Sequence, residues 1–161
     1  MKTKNLKLSM LILLLAFINT GCQKDDNESE FIEGYITGTF KCYENATGTS
    51  NNKPTPRGFC VLLENSKNAD SQKPMDFYTF NLPEDFFNFP KGILLDRGND
   101  CGPSFFEDNI QNIYKIRFKY RDATETESVK FSCGMCPDIY LYFPWDKYNQ
   151  KMITSLSKST N

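Results

Sequence analysis

The chain contains no histidine. That absence removes the imidazole base from any serine or cysteine nucleophile, the imidazole ligand from any metal site, and the side chain that most often serves as general acid near neutral pH. Long hydrophobic runs are missing too. The apolar stretch from Leu8 to Ile18 covers eleven residues, against the roughly 20 that a membrane-spanning helix requires. There is no excess of positive charge, with 19 basic and 20 acidic residues, so the clustered cations that displace counterions from nucleic acid are lacking and no nucleic-acid partner is expected. No internal repeat or second linker divides the sequence, which implies one domain.

What is present begins with a pattern at the start of the chain. Lys2, Lys4 and Lys7 precede the apolar run, and Asn19-Thr20-Gly21 leads to Cys22. A basic start, a short apolar stretch and small residues before a cut describe a secretory leader. Gly21-Cys22 at the end of such a leader resembles the lipobox of the bacterial lipoprotein family, although Asn19 stands where that family usually carries Leu or another aliphatic residue. The resemblance implies cleavage before Cys22 and acylation of its thiol and amino groups. Several acyl chains hold where one is marginal, because each buried methylene contributes about 0.8 kcal/mol. Gln23-Lys24-Asp25-Asp26 is similar to the acidic tether of surface-exported lipoproteins of the Bacteroidetes type. Residues 1–21 thus read as signal peptide, 22–32 as a polar, mobile tether, and 33–161 as the folded domain. The expected location is the cell envelope, at the outer membrane and exposed on its surface, with the acyl anchor as the contact to the membrane. Without the leader, sixteen basic residues face twenty acidic ones, a net charge near −4.

The domain reads as all-β. It carries nearly all of the 14 Phe and all 8 Tyr, residues favoured on strands and in compact cores. From Gly34 to Tyr43, Ile36, Phe40 and Cys42 alternate with Thr37, Thr39 and Lys41, the period of a half-buried strand, and Gly34 and Gly38 mark bends or bulges within it. Phe59 to Leu63 is a strand buried on both faces. A polar loop, Asn65 to Lys73, leads to Asp76–Leu82, where Tyr78, Phe80 and Leu82 share one face. Pro83-Glu84-Asp85 ahead of Phe86 and Phe87 suits the first turn of a short helix, and Ser104 with Glu107 has capping-box spacing. Along Ile113–Arg121, Tyr114, Ile116, Phe118 and Tyr120 face one way and Lys115, Arg117, Lys119 and Arg121 the other. Asp122–Glu127 then reads as a hairpin turn, and Ser128–Cys133 as the returning strand with Val129 and Phe131 inward.

Three strands, a helical interlude and two strands, with glycines breaking the first strand, resemble the OB-fold, a five-stranded Greek-key barrel. A different small barrel or a β-sandwich remains open. In the barrel reading, Phe86 to Phe89 and Phe105-Phe106 plug one end, and the segment holding Tyr140, Tyr142, Phe143 and Trp145 packs against the barrel as an edge.

With Cys22 acylated, Cys42, Cys60, Cys101, Cys133 and Cys136 are left. An odd number of cysteines in an exported protein favours two disulfides and one spare thiol. A bridge from Cys101 to the Cys133 and Cys136 region would close a loop of about thirty residues and stabilise by roughly 3–4 kcal/mol. Cys133-Gly134-Met135-Cys136-Pro137 also has the spacing of a redox pair, but Asp138 to Phe143 reads as extended rather than as the helix whose N-terminus activates such a thiol. A cysteine zinc site ranks lower in an oxidising location. Glu84, Asp85, Asp96, Asp100, Glu107 and Asp108 supply carboxylates to the interlude without the cleft a glycosidase needs. Asp96-Arg97-Gly98-Asn99-Asp100 lacks the terminal glutamate of a calcium loop. No metal and no cofactor is expected.

Two surfaces remain for binding. Lys115, Arg117, Lys119 and Arg121, extended by Lys130, line one strand face as a dock for an acidic glycan or protein, or else keep an outward barrel face soluble. Tyr140, Tyr142, Trp145 and Tyr148 offer an aromatic platform, or else core packing. The expected function is a lipid-anchored, non-catalytic envelope protein whose β-domain binds a protein or glycan. The competing classes are a thiol-redox accessory or carboxylate hydrolase, and a structural subunit of an envelope assembly.

Overall fold

The structure, a computed structural model, describes residues 28–44, 53–70, 72–90, 92–94, 102–132 and 143–159. Cys22, Cys101, Cys133, Cys136, Tyr140 and Tyr142, with positions 96–100, lie outside the described residues. In chain order the strands are β1 (Ile32–Phe40), β2 (Tyr43–Glu44), β3 (Gly58–Leu63), β4 (Phe77–Thr79), β5 (Ser104–Phe105), β6 (Lys115–Asp122), β7 (Phe131–Ser132) and β8 (Asn149–Lys158), with one α-helix, α1 (Glu64–Ala69), and a 3-10 turn at Trp145–Lys147.

Five of the strands close on themselves. β1 pairs with β3, β3 with β4, β4 with β8, β8 with β6, and β6 returns to β1, so the all-β domain is a closed OB-like barrel. Every pairing is antiparallel except β4 with β8. Closure leaves no long unpaired edge inside the ring. The parallel seam is short, Phe77 against Asn149 and Tyr78 against Gln150. Beyond it the Asn81 side chain stands in for a strand: its amide donates to the Ile153 carbonyl at 2.8 Å and its carbonyl accepts the Ile153 N–H at 3.1 Å.

Ile36, Phe59, Val61, Phe77, Ile116, Phe118 and Ile153 fill the barrel, and Phe86, Phe87, Phe89, Phe106 and Tyr114 close one end over them. Phe87 meets Tyr114 edge to face at 5.2 Å, a geometry that adds to the area the rings bury. Each such side chain, fully buried, contributes about 1.5–3 kcal/mol.

β1 is where the sequence period breaks. Ile36 lies opposite Val61 but Gly38 lies opposite Cys60, so Thr37 is an extra residue in the ladder. Its hydroxyl donates to the Pro74 carbonyl at 2.7 Å and its own carbonyl accepts the Phe106 N–H at 2.8 Å. A bulge shifts the side-chain phase by one. Ile36 therefore points into the barrel while Phe40 and Cys42 join a second cluster outside it, with Cys60 and Met75. The expected single face for Ile36, Phe40 and Cys42 does not exist.

Other expectations are corrected by the same kind of local detail. Tyr78 and Phe80 lie in the outer cluster, whereas Leu82 belongs to the barrel core. The polar stretch after β3 winds into α1 even though no side chain of that helix is buried; its polarity left no apolar period to read. Pro83 to Phe87 forms turns rather than a helix, with Phe86 N–H bonded to the Pro83 carbonyl at 3.1 Å. Ser104 starts β5 beside Gly38 and Thr39 instead of capping a helix, and Phe105 is exposed instead of plugging the barrel. The hairpin after β6 is absent: residues 124–128 form a turn, and β7 pairs with β2. The fifth barrel strand is β8. Its core residues Ile153 and Leu156 are three apart because Thr154 bulges where Lys119 pairs with Ser155 and Tyr120 with Ile153, and that spacing hides the strand from a period-of-two reading.

Residues 28–31, assigned to the tether, are already fastened to the wall. Ser29 N–H donates to the Tyr120 carbonyl at 2.7 Å, the Tyr120 N–H donates to the Ser29 hydroxyl at 2.8 Å, and Glu28 pairs with Lys119 at 3.1 Å.

Gly58 sits opposite Phe40, whose ring atoms come within 2.1–2.5 Å of where a Cβ would be. Gly58→Ala should therefore cost about 1–3 kcal/mol by overpacking, read as a lower urea midpoint at unchanged slope. The same change in a Phe40→Leu background should cost clearly less, because the two residues share one contact.

Candidate functional site

The bulge in β1 places a wall of rings on the outside of the barrel. Phe40, from the end of β1, meets Tyr78 at 5.7 Å, Phe80 at 5.4 Å and Trp145 at 4.6 Å. Phe131 of β7 closes on the same group, 5.6 Å from Phe40 and 5.1 Å from Trp145. Phe143 lies 4.9 Å from Trp145 and stacks on Tyr148 at 5.5 Å with 14° between planes. Burial pushes the Tyr78 hydroxyl up from its ordinary pKa. Trp145, a candidate platform residue, is thus half-buried packing, and its indole N–H is buried without a hydrogen-bond partner.

Beside this wall opens a cleft of about 620 Å³, lined by Ser66, Ala69, Asp70, Gln72, Lys73, Pro74 and Tyr148. The loop that forms it is braced from below by Asp76. One carboxylate oxygen of Asp76 accepts the Leu63 N–H at 2.7 Å; the other accepts the Ser66 hydroxyl at 2.9 Å and the Lys73 ammonium at 2.5 Å. Asp76 N–H in turn donates to the Val61 carbonyl at 2.7 Å. An Asp70 carboxylate oxygen accepts the Gln72 N–H at 2.9 Å, and Lys73 N–H donates to the Asp70 carbonyl at 3.2 Å. Those bonds are the ordinary Asx-turn chemistry of a short polar loop, and Asp76 ties the residues flanking it to the end of β3.

The basic face of β6 is present as expected, but it is largely neutralised. Lys115 lies 2.7 Å from Glu33 and 2.9 Å from Glu64. Those hydrogen bonds hold the Lys115 ammonium above its ordinary pKa, and Lys115 with Ser159 holds Glu33 below the usual carboxylate range. Burial raises the Tyr35 hydroxyl, and the adjacent Glu64 adds to the shift. Lys119 pairs with Glu28, and Arg121 reaches both carboxylate oxygens of Glu127 at 2.7 Å. Arg117 is exposed and lies over the Phe31 ring, 5.0 Å from its centroid. Lys130, exposed in the segment before β7, does not extend this row across a hairpin. The four cations share a face, and alternating acids share it with them.

Among the described cysteines, Cys42 is disulfide-bonded and Cys60 is free; no disulfide joins two described residues. Cys60 is completely enclosed, and burial pushes its thiol far above the ordinary range. It is the inert kind of cysteine. Among the described residues, no group of histidine, cysteine and acidic side chains is arranged to hold a metal ion, and no helix is long and apolar enough to cross a membrane. The sequence reading missed the cleft, apart from Tyr148, because Ser66, Asp70, Gln72 and Lys73 sit in a stretch that reads as solvated loop; the Asp-x-Gln turn was the one local signal there. Compared with known proteins, the chain matches no family model, no curated protein and no solved structure.

Thiol reagents should leave Cys60 unmodified in the native protein and label it once denaturant opens the barrel; mass mapping after alkylation checks this. The Glu127 carboxyl is held below its usual range by Arg121 and by Thr124. A carboxylate with a lowered folded pKa supports the fold above its unfolded pKa and ceases to do so as the pH falls through the folded value. Glu127→Gln should therefore lower the urea midpoint at pH 7, and the difference from the parent should shrink steadily below about pH 4.5.

Proposed function

We propose that this chain is a lipid-anchored, non-catalytic protein of the cell envelope, whose barrel presents its outer loops to a protein or glycan partner. The anchor reading rests on the leader pattern from Lys2 to Cys22. Five residues separate Cys22 from Glu28, where the chain is fastened to the barrel. At about 3.3–3.6 Å per extended residue, such a connection holds the barrel wall within about 20 Å of an acylated Cys22.

The observation that carries the binding reading is the filled barrel. Ile36, Phe59, Val61, Ile116 and Phe118 are fully buried inside it, and rings close one end, so recognition falls to the outside. The braced loop with Tyr148 forms a concave surface there. A non-catalytic role agrees with the lack of histidine and with the exposure of Glu84, Asp85, Glu107 and Asp108 on the loops over the plug.

Growth of the expressing bacterium with labelled palmitate should place label on this protein, and Cys22→Ala should abolish the label and move the protein out of the membrane fraction. Labelled Cys22→Ala protein that remains in the membrane fraction would refute the anchor.

A further inference from the structure

The cleft between α1, the loop after it and Tyr148 has a composition that selects its ligand. We infer that it is a binding site for a neutral saccharide, of which Tyr148 supplies the stacking surface and Asp70 and Gln72 the hydroxyl-recognising groups. This inference rests on the reading of the barrel as a binding module and gives that reading a site and a ligand class.

Three observations carry it. Tyr148 has one ring face covered by Phe143, nearly parallel at 14°, and Tyr148 is among the residues that line the cleft. An aromatic ring fixed from behind offers a flat apolar surface to the C–H face of a sugar at little cost in side-chain freedom. Second, the polar lining offers both donors and acceptors. The Gln72 amide can donate and accept, and its residue is exposed; Asp70 uses one oxygen on the Gln72 N–H and keeps the other for a hydroxyl donor. Paired hydroxyls, each both donor and acceptor, are the complement of such groups. Third, the segments on either side of Asp70 and Gln72 are tied down before any ligand arrives. Asp76 holds Leu63, Ser66 and Lys73 together, and Thr37 holds Pro74.

Charge narrows the ligand further. Lys73 is bound to Asp76 at 2.5 Å, so the cation in the lining is already neutralised, and Asp70 would repel a carboxylate or sulfate. An acidic glycan is thereby disfavoured and a neutral one favoured. The cleft, about 620 Å³, is open to solvent, so a ligand there would lie on the surface rather than be enclosed.

Trp145 supplies the readout, being the one tryptophan of the chain and separated from Tyr148 by a single ring, Phe143. The full chain isolated from cells in a sugar-free detergent is titrated with maltotetraose, cellotetraose, xylotetraose and mannotetraose, following tryptophan fluorescence. At least one tetrasaccharide should give a saturable change. Tyr148→Ala should weaken that binding about tenfold, equal to about 1.4 kcal/mol, whereas Tyr148→Phe, which keeps the ring, should not. Gln72→Ala, at an exposed position that the fold does not use through its side chain, should weaken it severalfold with an unchanged melting temperature. No saturable change with any of the four up to about 10 mM overturns the saccharide assignment. Binding that survives both Tyr148→Ala and Gln72→Ala overturns this site while leaving the barrel a glycan-binding module. Saccharide binding by protein that lacks the acyl mass at Cys22 upholds the site and removes the anchor alone.

Discussion

Everything in this domain is arranged around one extra residue in β1. The bulge at Thr37 lets a single strand serve two clusters, Ile36 within the barrel and Phe40 outside it. Without it, Phe40 and Cys42 would point into a barrel already occupied by Phe59 and Phe118, and a side chain inserted into a filled core costs more than it returns. The bulged residue is tied at both ends, by its hydroxyl to Pro74 and by its carbonyl to Phe106. The first of these bonds reaches the loop of the cleft and the second reaches the plug. Two glycines make room for the arrangement: Gly38 lets β5 approach, its missing Cβ leaving the Ser104 carbonyl unobstructed at 2.7 Å, and Gly58 takes the Phe40 ring.

The outer wall follows from that phase shift. Phe40 at its centre draws in Tyr78, Phe80, Phe131 and Trp145, and through Phe143 it sets the tilt of Tyr148. Thus a backbone irregularity in the first strand positions a ring more than a hundred residues later. The chain of contact is continuous, one packed ring after another, and close packing transmits such constraints because few side chains have room to adjust.

Legibility in the sequence followed the regularity of the backbone. β6 was read correctly in both faces, since nothing interrupts the alternation from Tyr114 to Arg121, and β3 announced itself as an apolar run buried on both sides. The barrel class was therefore anticipated, although the expected order had Ser128–Cys133 as its fifth strand where the ring uses β8. Bulges hid the rest. Thr37 moved Phe40 and Cys42 off the expected face, and Thr154 spaced Ile153 and Leu156 so that β8 carried no alternation. The returning strand placed at Ser128–Cys133 was an inference from adjacency; the Arg121–Glu127 clamp instead turns the chain aside, and Gln150 ties that turn to β8 through Val129 and Glu127. Of the cleft, Tyr148 was named and its polar neighbours were not, because a braced loop and a freely solvated one have the same composition until the bracing bonds are known.

The order of closure also bears on when the fold can form. β8 is the strand that joins β6 to β4, and it is the last of the five to be synthesised. Until residues 149–158 emerge, the ring stays open, with Phe118 and Phe77 lacking their final neighbour. Loop closure over such a separation is slow. The ring is thus completed only once residues 149–158 are available, and β4 and β6 are joined by the strand synthesised after both of them.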